Sequence, residues 1–100
     1  MAQYYKFQDI GTGAGVAVYT VQDVEPKNGH DFSLEELQGY VDGLIDIVSL
    51  YDGRLMVVND EGLINGLPIN PLATAIFQNA TGTKDYILGN VLICDENQIL

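Results

Sequence analysis

The stretch LIDIVSLYDGRLMVVN, residues 44–59, most constrains the fold. Two β-rich runs flank Asp52-Gly53, a pair suited to a tight primed turn in which both central residues take positive φ. The spacing predicts a β-hairpin. Ile45, Ile47, Val48, Met56, Val57 and Val58 put apolar side chains on both faces of its strands. A strand apolar on both faces belongs inside a sheet with helices covering at least one side.

The residues before the hairpin read as a helix. Ser33 and Glu36 form the S-x-x-E capping box, in which each side chain reaches the other's backbone N–H. Phe32 and Leu37 stand at the spacing of a hydrophobic staple. Leu34, Leu37, Tyr40, Val41 and Leu44 recur every three or four residues and make one apolar stripe. Glu35 and Glu36 suit the positive end of the helix dipole. Gly43 is the expected stop, free to adopt the left-handed conformation.

A second helix is predicted after Asn70, which suits an N-cap, with Pro71 at the first helical position. Leu72, Ala73, Ile76, Phe77 and Ala80 form its stripe, and Thr81-Gly82 ends it. Strand character covers Tyr4–Gln8, Gly15–Gln22 and Asp85–Cys94, with Gly89 a bulge or close-approach point. Gly11 to Gly15 reads as a hairpin turn, since no helix or P-loop lysine follows it. The tail DENQIL is expected to fray, apart from its last two apolar residues.

The order is therefore β-β-α-β-β-α-β in a single domain spanning residues 1–100. The expected fold class is α+β: about five largely antiparallel strands with two short helices packed on them.

Charge limits function. Fourteen acidic residues face only Lys6, Lys27, Arg54 and Lys84, for a net charge of −10. Such a surface repels nucleic-acid phosphates and anionic lipid. It fits either a basic groove on a partner protein or plain solubility. No apolar run reaches the length of a membrane helix and the N-terminus lacks a secretion signal, so a cytoplasmic protein is expected.

Little points to chemistry. Cys94 is the single cysteine and lies in an apolar run, which reads as a small buried hydrophobe. His30 is the single histidine and sits in a polar loop. Asp23, Glu25 and Asp31 could form an oxygen-rich calcium loop but lack the regular ligand spacing. Asp60-Glu61 and Asp95-Glu96 are neighbours, which point to opposite faces of a strand and make no dyad. No serine or threonine sits in a nucleophile motif. The expectation is a protein that is not an enzyme and uses no metal or cofactor.

The passage NDEGLINGLPINPLATA, residues 59–75, is dense in turn chemistry at Asp60-Glu61-Gly62, Asn65-Gly66 and Asn70-Pro71. If it also binds, the candidates are Asn59, Asn65, Leu67, Pro68 and Asn70, with Tyr86 beside them. Asn59 and Asn65 are the residues that turn formation leaves least explained. The acidic surface is expected to include Glu35, Glu36, Asp42, Asp60 and Glu61.

An ordered set of pieces here resembles one family. It comprises Leu37-Gln38, Val41, Gly43-Leu44-Ile45, Val48, Leu55 to Gly62, Gly66-Leu67-Pro68 with Asn70, and Asp85 to Ile93. The chain is similar over roughly residues 34–93 to the domain of unknown function 3846. Asp60-Glu61 departs from the commoner Glu-Glu, and the first 30 residues find no counterpart. The resemblance implies an accessory protein of phages, plasmids or other mobile elements, and carries over no catalytic residue.

Three functions compete on these grounds. The leading one is a binding protein acting on a host protein with a basic surface, including counter-defence by imitation of nucleic-acid charge. The others are a binder of a small molecule or nucleotide signal through the 59–70 loop, and a structural module that forms homo-oligomers.

Overall fold

The computed structural model describes residues 2–9 and 17–99; the expected turn at Gly11–Gly15 lies outside them. The elements run β1 (Ala2–Asp9), β2 (Ala17–Val24), α1 (Leu34–Val41), β3 (Ile45–Ser49), β4 (Arg54–Asn59), α2 (Pro71–Thr81) and β5 (Val91–Asp95), then a 3-10 turn at Glu96–Gln98. The five strands form one antiparallel sheet in the order β2-β1-β5-β4-β3. The fold class and element order are those the sequence predicts.

The sheet is buried from both sides. Successive residues of β5 face opposite ways, because side chains alternate along a strand. Leu92 and Cys94 join Leu37 and Val41 of α1, with Phe32 and Val57, in one core. Val91 and Ile93 join Ala73 of α2, with Met56, Leu50 and Ile87, in the other. One helix therefore covers each face, and β4 and β5 read as continuous apolar runs for that reason.

The central position belongs to β5 and not to the whole hairpin. β4 lies inside the sheet, whereas β3 is an edge strand with Asp46 and Ile47 exposed. Asp60 N–H donates to Leu44 C=O and Leu50 N–H to Arg54 C=O, which fixes the even-numbered residues of β3 toward β4. Ile47 N–H thus points off the edge, and the Asp46 carboxylate accepts it at 2.9 Å. A carboxylate on an outward N–H blunts the edge against pairing with another strand.

Both turns around the hairpin differ from expectation. Asp42, with φ 59°, is the left-handed residue that ends α1. Gly43 is needed for a different reason: a Cβ there would lie 2.9 Å from Asn59 Nδ2. In the hairpin, positive φ falls on Tyr51 (62°) and Gly53 (88°), one on each side of Asp52. The connection is longer than a two-residue turn, since strand pairing ends at Ser49 and Leu55.

The α1 stripe is narrower than its periodicity implies. Leu37 and Val41 are buried and Tyr40 partly so, while Leu34 and Leu44 are exposed. The capping box is present, with Ser33 Oγ accepting from Glu36 N–H and Glu36 Oε1 from Ser33 N–H. α2 starts and stops where predicted, capped by Asn70 and by Gly82 at φ 73°.

Two further boundaries move. The last strand is shorter than Asp85–Cys94, because Asp85 to Asn90 run outside the sheet apart from a bridge between Leu88 and Ile69. The tail is tied down rather than frayed. Gln98 is buried, its carbonyl accepts from Phe32 N–H, and Ile99 packs on the α1 core. Among the described residues, no helix is long and apolar enough to cross a membrane.

Candidate functional site: an ordered loop with an apolar tip

The segment between β4 and α2 is a loop closed by its own backbone hydrogen bonds. Asn65 N–H donates to Glu61 C=O at 2.9 Å, and Leu67 N–H returns to Gly62 C=O at 2.9 Å. Gly66 supplies the left-handed step with φ 65°. The second half is then laced to the segment before β5. Gly89 N–H donates to Pro68 C=O, Asn70 N–H to Ile87 C=O, and Ile69 pairs with Leu88. Gly89 has φ 78°, and a Cβ on it would sit 2.8 Å from Leu67 Cδ1. Glycine is required there both by the backbone and by the leucine lying over it.

Asn59 and Asn70 hold the two ends of this loop. Asn59 Nδ2 donates to Val41 C=O at 2.9 Å, and its Oδ1 accepts from Glu61 N–H at 2.8 Å. One side chain thereby joins the end of α1 to the start of the loop. Asn70 is fully buried; its Oδ1 caps Ala73 N–H and its Nδ2 donates to Gly89 C=O at 3.0 Å. Both amides use donor and acceptor on the fold, which accounts for Asn59 without a ligand.

The other candidates line two small clefts flanking the loop. Asn65, Leu67 and Pro68 meet Asp42 and Asn90 around about 170 Å³. Tyr86 meets Asp60 and Leu63 around about 190 Å³. Pockets that hold drug-sized ligands run to ~300–1,000 Å³. Among the described residues, no buried side-chain nitrogen or oxygen lacks a hydrogen-bond partner.

The pair that sequence reasoning missed is Leu63-Ile64. They sit at the tip of the loop, 85% and 81% exposed, near Tyr86 at 66%. Their position between Gly62 and Asn65 was the available signal, because an apolar pair flanked by turn residues has no strand or helix to bury it. Burying such a side chain is worth ~1.5–3 kcal/mol, which the isolated chain forgoes twice.

None of the five acidic residues predicted for the surface is fully buried. Asp42 and Asp60 are exposed, as is Glu35, while Glu36 and Glu61 are half-buried. Backbone N–H groups of Ser33 and Lys27 hold the Glu36 carboxyl below its ordinary range. No three histidine, cysteine, aspartate or glutamate residues cluster to hold a metal among the described residues. Asp31 instead accepts from Asn28 Nδ2 at 2.7 Å, and His30 is exposed. Cys94 is buried between the sheet and α1, and desolvation, aided by Asp95, pushes its thiol up to about 11. A thiol so raised is protonated at neutral pH and a poor nucleophile.

Fold and loop together define a small acidic α+β domain with one helix on each face of its sheet and a hydrogen-bonded, apolar-tipped loop between β4 and α2. The chain belongs to the family described as Domain of unknown function (DUF3846), which matches residues 16–98. The match takes in β2, beyond the 34–93 span that carries the resemblance. No curated protein and no solved structure matches the chain.

Proposed function

We propose that this is a non-enzymatic binding protein whose loop tip engages a host protein with a basic surface. The observation that carries the reading is Leu63-Ile64, displayed on a loop closed beneath them by Asn65 N–H to Glu61 C=O and Leu67 N–H to Gly62 C=O. Backbone hydrogen bonds beneath an apolar anchor reduce the entropy lost on docking, and buried anchors contribute most of the energy of an interface. Asp60 and Glu61 beside it, with a net charge of −10 behind, steer a cationic partner and fix its orientation. In its most specific form the reading is a mobile-element accessory protein that blocks a nucleic-acid-binding host enzyme by presenting carboxylates where phosphates would sit.

The test is capture from host lysate by the intact protein and by the double variant Leu63→Ser/Ile64→Ser. The expected result is a basic protein retained by the intact chain at ~50 mM salt, released at ~500 mM, and lost from the variant. Absence of capture at low salt, or equal capture by the variant, sinks the reading.

A further inference from the structure

Gly39 is the sixth residue of the eight-residue helix α1 and carries no structural reason to be glycine. Nothing lies within 4 Å of where its Cβ would stand, and its backbone is helical rather than left-handed. Alanine would fit, and would favour the helix by ~1 kcal/mol. What a side chain there would occupy is a groove of about 530 Å³, larger than either cleft beside the loop.

The groove has a defined chemistry. Two of its lining residues, Tyr4 and Tyr40, meet edge to face with ring centroids 4.7 Å apart. The Tyr4 hydroxyl donates to Tyr40 C=O at 2.8 Å, which fixes that pair. The polar lining is Ser33, Glu35, Glu36 and Lys27. Glu36 stays ionised, because Ser33 N–H and Lys27 N–H both donate to it. Glu35 is exposed beside it. Two carboxylates against one ammonium leave the groove net negative, within an already anionic protein.

We propose that this groove receives an arginine side chain from a basic partner. The guanidinium lies against Glu35 and Glu36, and the methylene stem crosses Gly39 beside the tyrosine rings. Arginine fits better than lysine because its planar, weakly hydrated head stacks on aromatic rings and pairs with carboxylates in a fork. The inference rests on the reading of a basic partner but uses residues separate from the loop tip.

The experiment is an amide-resolved NMR titration of the full chain with a triarginine peptide and with its citrulline counterpart, a neutral isostere. Saturable shifts are expected at Glu35, Gly39 and Tyr40 with the first peptide and not the second. Gly39→Ala should raise thermal stability yet weaken that binding by about tenfold, the opposite signs marking a groove kept open for a ligand. Gly39→Leu should abolish it with helix content retained. Shifts spread evenly over acidic residues and unchanged in Gly39→Ala would overturn the proposal, as would no shifts at all. The peptide titration needs no host protein: arginine binding with failed lysate capture leaves the groove standing and removes the loop reading, and the converse separates them equally.

Discussion

Asn59 and Asn70 are chemically alike, yet only one is readable locally. Asn70 before Pro71 has the signature of an N-cap, and its Oδ1 does accept from Ala73 N–H. Its other bond, to Gly89 C=O, spans 19 residues and has no local sequence signal. Asn59 bonds Val41 C=O across 18 residues, and the same side chain explains why Gly43 must be glycine. Asn70→Ala should lose the cap and strand a buried carbonyl, destabilising the protein by ~2–4 kcal/mol. Asn70→Ser restores the cap alone and should fall between the two in urea unfolding. Equal stability of Asn70→Ser and the parent would mean that the Gly89 bond contributes nothing net.

At the scale of elements, helices are the legible part. The capping box closes within four residues, so Ser33 and Glu36 declare the start of α1 without help from elsewhere. Strand position is not local in this sense. β3 and β4 are similarly apolar, but only β4 pairs with β5, and Asp46 within β3 is the sole local mark of which arm is the edge. The hairpin turn shows the same limit. Asp52-Gly53 signals a turn correctly, while the left-handed strain falls on Tyr51, which is 80% exposed. A left-handed non-glycine residue costs ~1–2 kcal/mol, so Tyr51→Gly should stabilise the hairpin, by ~1 kcal/mol after glycine's extra chain entropy. The denaturation midpoint checks this; a fall would show that the tyrosine side chain contributes packing that outweighs the strain.

At the scale of the molecule, charge and packing act in opposite directions. Between residues 19 and 99 every side-chain carboxylate is exposed or half-buried, so the charge of −10 forms an external field that repels itself. Arg54 is held by Asp52 at 2.7 Å, an exposed pair of small worth. Raising salt from ~10 to ~200 mM should therefore raise the melting temperature, by a few degrees, as the Debye length shrinks below the spacing of the charges. The same change should weaken capture of a basic partner. A melting temperature that falls with salt would mean that attractive pairs dominate the surface.

The sequence by itself determined the α+β class, the element order, both helix starts and the anionic character, because these rest on contacts within a few residues or on composition. Tertiary structure alone decided that β5 is central, that each helix takes its own face, that Asn59 serves the fold and that Asn70 also reaches Gly89. It also brought Gly39 and Tyr4 into one groove. Each of these depends on which distant segment arrives to fill a given space, and a side chain's local pattern carries no record of its partner across the sheet.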